Sequence, residues 1–161
     1  MNRKFSGYLL GFCLVLLTIP IQAPAAPVAV QKLVNWEDIV HLSRENNLPV
    51  VILVDQWDCP YCDIVEQEFL EPMLRGGQFD QLALIRKISI DQGEMITDQE
   101  GKSISAREFA RRYADSFTPT ILFLDCDAQP IGENIVGVNS TDFYGYYLDK
   151  AIVEAHAQFN N

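Results

Sequence analysis

Residues 50–54 (Val-Val-Ile-Leu-Val) are apolar without a break. Such a run predicts a strand covered on both faces, as in the middle of a partly parallel sheet. Pro49 stops any helix before it. Upstream, Asn35-Trp36-Glu37-Asp38 predicts a helix start, with Asn35 as cap and two acids in the first turn. Trp36, Ile39, Val40 and Leu42 give that helix an apolar side to about Asn47. A second helix is expected from Pro60 to about Arg75, with Val65, Phe69, Leu70 and Met73 inside, a late kink at Pro72 and a stop at Gly76-Gly77. Residues 82–90 predict the next strand. Residues 91–103 are polar around Asp98-Gln99-Glu100-Gly101 and predict a surface loop. Ser105-Ala106-Arg107-Glu108 is a capping box that opens a short helix to about Tyr113. Residues 119–124 read as a strand, and residues 131–138 as its hairpin partner. Ser140-Thr141-Asp142 should cap a last helix with Phe143, Tyr147, Leu148, Ala151, Ile152 and Ala155 inside. The order α, β, α, β, α, β, β, α predicts an α/β fold: one mixed sheet with helices on both faces.

The first 25 residues change this picture. Arg3 and Lys4 precede an uncharged apolar run, residues 8–19, and then Ala23-Pro24-Ala25. A basic start, a short apolar stretch and a small-residue site together predict a secretory signal peptide, cleaved after Ala25. An uncleaved membrane anchor is the alternative, but the run is short for a span of about 20 residues. Bulky Phe12 before Cys13 argues against a lipid-modified cysteine. Residues 26–161 then form one domain. Loss of Arg3 and Lys4 takes the net charge from −10 to −12. An acidic surface disfavours nucleic acid as a partner, because phosphate binding needs basic groups. Export places the domain in an oxidising compartment, the periplasm if the source is Gram-negative. A 48% apolar content is ample for a packed core. A monomer is expected.

Three of the four cysteines lie beyond the export segment: Cys59, Cys62 and Cys126. Cys59-Pro60-Tyr61-Cys62 follows the buried strand and opens a helix. Residues three apart share a helix face, within a small adjustment of disulfide geometry. Pro60 suits the first helical position, where its missing N–H costs nothing. Cys59, at the cap, points its sulfur at unpaired backbone N–H groups, which lowers a thiol's pKa. Cys62, one turn in, should be more buried. Cys59 is thus the attacking sulfur and Cys62 the resolving one. Asp58 opposes this, because a neighbouring carboxylate raises the thiol's pKa. A structural zinc wants four ligands; there is no second C-x-x-C, and His41 and His156 are distant in sequence and read as surface residues. No metal site is expected. A purely structural disulfide over so short a loop would stabilise weakly. Cys126, between Asp125 and Asp127, reads as an incidental turn cysteine, with an intermolecular disulfide as the alternative. Tyr144, Tyr146 and Tyr147 read as helix packing.

With these residues in place, the sequence resembles the thioredoxin superfamily. The resemblance is carried by the strand at residues 50–54, by Cys59-Pro60-Tyr61-Cys62 with its helix, and by Thr118-Pro119-Thr120 opening a later strand. It extends over residues 26–161 in the right element order. Glu133 to Gly137 before the final helix also fits. Within the superfamily the chain looks most like exported thioredoxin-related proteins of the SoxW type, which share C-P-Y-C, D-x-x-G-K (here residues 98–102) and T-P-T before F-x-D. A glutaredoxin proper, which shares C-P-Y-C, fits less well, because no late Gly-Gly is present. The resemblance implies a thioredoxin fold, a cis Pro119 beside the cysteine pair, and a Thr118 backbone that pairs with an extended substrate segment. Two positions depart from the pattern. The buried acid six residues before the first cysteine is replaced by Leu53; Asp55, four before, is read either as its substitute in proton transfer or as a solvent-facing residue. Trp, usually next to the cysteine, stands one earlier as Trp57, with Asp58 in its place.

The resemblance implies an exported thiol–disulfide oxidoreductase acting on protein thiols and disulfides, in either direction. A reductant outside the inner membrane would draw electrons from a membrane thiol transporter, and no cofactor beyond the Cys59–Cys62 disulfide is implied. The alternative from another class is a non-enzymatic binding module holding a client protein or Cu(I), which two thiolates can bind.

Overall fold

In the computed structural model the described residues are 28–113 and 117–161. The expected export segment, residues 1–25 with Cys13, lies outside them. Strand β1 (Val50–Asp55) is buried at every position and forms the spine of the main sheet. It pairs in parallel with β2 (Leu84–Ser89) and antiparallel with β5 (Thr120–Leu124), and β5 pairs antiparallel with β6 (Ile135–Val136). The order across the sheet is β2-β1-β5-β6. The chain just before the first helix joins the far side of β2: Lys32 bridges Lys87 in parallel, Leu33 N–H donates to the Lys87 carbonyl and Lys87 N–H donates to that of Gln31.

Alternation along the strands divides the core in two. Val51, Leu53, Ile85, Ile121 and Phe123 face one side, with Val65, Leu70 and Met73 and with Leu148 and Ile152 of α5 (Thr141–Phe159). Val50, Ile52, Val54, Ile88, Leu122 and Leu124 face the other, against Trp36 and Ile39 of α1 (Trp36–Asn46) and Phe109 of α4 (Ala106–Arg111). Each such aliphatic side chain contributes about 1.5–3 kcal/mol relative to leaving it in water. Trp36 and Phe109 stack with ring centroids 5.7 Å apart.

The helix after β1 runs continuously through α2 (Pro60–Ile64), a π-helical stretch Val65–Leu70 and α3 (Glu71–Gly76). Glu71 N–H reaches back five residues to the Glu66 carbonyl. Pro72 explains the widening: it has no N–H to offer, so the ladder loosens in the turn before it. Gly77 (φ 68°) closes the helix, its N–H donating to the Met73 carbonyl.

Four local expectations need correction. Residues 91–103 are not a plain surface loop: β3 (Met95–Thr97) and β4 (Ser103–Ser105) form a hairpin that buries Ile96 and Ile104 against the α1 and α4 side. The return strand is only two residues long. In α1, Leu42 is exposed and Ser43 is buried, its hydroxyl donating to the Leu48 carbonyl at 2.6 Å. In α5 the buried face holds Tyr144, Leu148, Ile152 and Ala155, while Phe143, Tyr146 and Tyr147 are exposed and Ser140 makes no side-chain cap bond.

Candidate functional site

β1 ends at Asp55 and hands the chain to a short loop, Gln56-Trp57-Asp58, before the helix. Asp58 takes a left-handed backbone conformation (φ 55°), which Asp tolerates better than most residues. Trp57 N–H donates to both carboxylate oxygens of Asp91, at 3.0 and 3.1 Å, and this ties the loop to the chain beyond β2. Asp91 was invisible to sequence reasoning, because the contact spans two strands.

Cys59 is the N-cap of α2 and Pro60 follows at the first helical position. The Cys62 N–H donates to the Cys59 sulfur at 3.2 Å, and the N–H groups of Cys62 and Asp63 donate to the Cys59 carbonyl. The sulfur therefore sits at the positive end of a helix, the environment that stabilises a thiolate. Cys59 and Cys62 are joined in a disulfide with Cα atoms 5.2 Å apart. Cys59 exposes 9% of its surface and Cys62 3%, so the first cysteine is the more accessible residue of the two.

The Thr118–Pro119 peptide bond is cis. Thr120 pairs with Val54, which puts Thr118 and Pro119 beside the end of β1 from which the cysteine loop departs. Pro119 is buried and Thr118 half-buried. The Pro119 carbonyl accepts from Gly137 N–H at 2.8 Å, and Thr120 Oγ1 donates to the Phe117 carbonyl at 2.8 Å. The first bond ties the turn to the chain after the edge strand β6, and the second closes the turn on itself.

Asp55 is buried at the end of β1, opposite Ser89 of β2, whose hydroxyl donates to its Oδ1. Burial pushes its carboxyl above the ordinary range; the Ser89 hydroxyl and the Lys87 charge oppose this, and Glu66 and Glu94 reinforce it. Glu66 holds Lys87 Nζ through both oxygens, at 2.6 and 2.7 Å. Glu94 accepts from Ser89 N–H at 2.9 Å and from Lys32 Nζ. A cavity of about 440 Å³ opens here between Asp55, Asp58, Glu66, Lys87 and Ser89. Asp55 and Asp58 thus border one cavity on the cysteine loop, joined by Glu66 and Lys87, which carried no sequence signal of their own.

The remaining cysteine lies elsewhere. Cys126 is half-buried and forms no disulfide. Its carbonyl accepts from Trp36 Nε1 at 3.1 Å, Asp127 pairs with Arg44 at 2.9 Å, and Asp125 Oδ1 accepts from the N–H groups of Asp127 and Gln129. The acids flanking this thiol therefore have structural partners. Among the described residues no three His, Cys, Asp or Glu side chains converge as a metal site.

No curated protein matches the chain. Its likeness to solved structures is one of fold. Mitochondrial thioredoxin 3 of Saccharomyces cerevisiae in the oxidised form is 21% identical, with a TM-score of 0.51 over 76% of this chain and 92% of that one. A structure from work on how a yeast mitochondrial 1-Cys peroxiredoxin is resolved through glutathione/thioredoxin systems is 19% identical, with a TM-score of 0.52 over 80% and 97%. A poplar thioredoxin h mutant is 16% identical, with a TM-score of 0.52 over 80% and 86%. The sheet order, the helix placement and these likenesses make the fold that of thioredoxin, which generally needs no cofactor. A disulfide closing C-x-x-C on this fold supports thiol–disulfide oxidoreductase activity in general. Residues 37–152 match the family described as thioredoxin-like domain, and the chain belongs to that family.

Proposed function

We propose that this chain is an exported thiol–disulfide oxidoreductase, periplasmic in a Gram-negative source, that exchanges disulfides with protein substrates through Cys59 and Cys62. The observation that carries the reading is a disulfide whose outer sulfur caps a helix at the end of the central strand. In the reduced form the Cys59 thiolate attacks one sulfur of a substrate disulfide. The bond Cys59–S–S–substrate forms, and the second substrate sulfur leaves as a thiolate that takes up a proton. Cys62 then loses its proton and attacks the Cys59 sulfur. The Cys59–Cys62 bond closes, the other substrate sulfur leaves, and two electrons have passed to the substrate. Read in reverse, the disulfide oxidises a substrate dithiol.

The other residues have supporting roles. The Thr118 backbone aligns an extended substrate segment beside Pro119; Thr118 is half-buried there and its neighbour Phe117 is exposed. Asp55, buried and raised above its ordinary pKa, exchanges the proton that Cys62 loses, and Asp58 tunes Cys59 by its charge. Export is supported by Arg3-Lys4, the apolar run and Ala23-Pro24-Ala25. An exported reductant of this kind draws its electrons from a membrane thiol transporter. Reduction of insulin disulfides with dithiothreitol as donor tests the reading. Wild type should be active, Cys59→Ser inactive, and Cys62→Ser should trap a mixed disulfide with substrate at Cys59. Undiminished activity in Cys59→Ser would falsify the mechanism. Equilibration against glutathione then fixes the direction.

A further inference from the structure

Three exposed aromatic side chains gather at the cysteine end of the sheet. Trp57 (74% exposed) lies two residues before Cys59, Tyr61 (56%) lies inside the motif, and Phe117 (65%) precedes the turn at Pro119. Carboxylates share this rim: Asp58 and Asp63 flank the disulfide in sequence, and Asp91 holds the Trp57 backbone. The two lysines that line the cavity with Asp58 and Asp63 are already used, Lys87 by Glu66 and Lys32 by Glu94. Among the described residues no Lys or Arg pairs with Asp58, Asp63 or Asp91.

The fold explains part of this charge but not all of it. Asp63 in the first helical turn complements the helix dipole. Asp91 acts as an acceptor for a backbone N–H, which a neutral side chain could also do. Asp58 is the informative residue. Its φ of 55° would suit Asn or Gly equally, and its charge works against a thiolate next door. A negative charge that the backbone does not need and that disfavours the nucleophile makes sense when a partner supplies the balancing cation. A cation seated there relieves the repulsion on Cys59 as it binds, so docking and activation go together.

We propose that the site selects cationic segments: a disulfide-bearing polypeptide with Lys or Arg within a few residues of the reactive cysteine, its charge met by Asp58, Asp63 and Asp91 and its side chain laid on Trp57 or Tyr61. The proposal rests on the exchange reaction at Cys59 and Cys62 described above.

The test uses reduced protein in single turnover against two peptides of one sequence, each closed by an internal disulfide. One carries Lys on both sides of the first cysteine, the other Glu. Each rate is divided by the rate of the same peptide with dithiothreitol, which attacks as a thiolate just as Cys59 does but carries no carboxylates, and this removes the intrinsic difference between the two disulfides. The normalised rate should favour the Lys peptide by on the order of tenfold at low salt and fall to within about twofold at 1 M salt, where screening acts over about 3 Å. The double variant Asp58→Asn, Asp63→Asn should lose most of the preference; taking a ratio cancels any change in the reactivity of Cys59. Equal normalised rates, a preference for Glu, or a preference indifferent to salt and to the double variant would overturn charge selection while leaving the exchange reaction standing. Failure to reduce either peptide or insulin would overturn the exchange reading itself.

Discussion

The turn between β3 and β4 hangs on one carboxylate. Asp98 is buried and accepts three hydrogen bonds: Arg112 Nη2 at 2.8 Å, Lys102 N–H at 2.9 Å and Glu100 N–H at 3.0 Å. Burial alone would raise its pKa; the Lys102 N–H, the Arg112 guanidinium and the Glu100 N–H outweigh that and hold the carboxyl below its ordinary 3.8. Replacing it with Asn keeps one oxygen for the two backbone donors but turns an NH2 toward the guanidinium. One charge-assisted bond is lost, at about 1.5–3 kcal/mol. Arg112 is partly exposed and can turn to water, so Asp98→Asn should cost about 2 kcal/mol at pH 7. Asp98→Ala strands both backbone donors as well and should cost about 4 kcal/mol. The sign with pH follows from the depressed pKa. The stabilisation is complete above the unfolded value near 3.8 and disappears as pH falls through the lower folded value. Urea denaturation of wild type and Asp98→Asn at about pH 7 and pH 3 reads both effects, and the gap should narrow at the lower pH. A variant within ~0.5 kcal/mol of wild type at neutral pH, or a gap that does not shrink in acid, refutes the assignment.

Asp55 should behave in the opposite sense. Its folded pKa is raised, so the stability that goes with the protonated form is complete below 3.8 and is lost as pH rises through the folded value. Asp55→Asn should therefore be more stable than wild type at pH 7, by about 1 kcal/mol, with the advantage gone near pH 3 in the same urea assay. In the core, Phe109→Ala removes a fully buried ring that stacks on Trp36 and Tyr113; it should cost about 3–5 kcal/mol and lower the thermal midpoint accordingly.

Some of this architecture is written locally and some is not. The run at residues 50–54 announces a strand buried on both faces, because no polar residue interrupts it. Cys59 at a cap with Pro60 behind it announces the helix head for a reason contained in two residues. The β3–β4 hairpin escapes notice because each strand is three residues long and contributes a single buried side chain, Ile96 or Ile104, between exposed or half-buried neighbours. The inner face of α5 is off by one at its start: Tyr144 packs against Phe69 while Phe143 and Tyr147 point to water, and aromatic content alone does not distinguish them. The polar network around Asp55 joins Lys32, Glu66, Glu94 and, both on β2, Lys87 and Ser89, so that four stretches of chain meet the one that carries Asp55. The parallel pairing of β1 with β2 and the bridge of Lys32 to Lys87 bring these together across long stretches of sequence.

The π-helical stretch Val65–Leu70 sets the angular phase between two jobs done by one rod. Its leading end presents sulfur to the outside, while its trailing end beds Leu70 and Met73 in the interior. Val65 and Leu70, five apart, are both wholly enclosed, a spacing that a tighter coil would put on different sides. Rewinding the same six residues as a regular α-helix, with none removed, would rotate one end against the other by roughly the 100° that one α-helical residue subtends. Either the thiols or the apolar wedge would then face the wrong way.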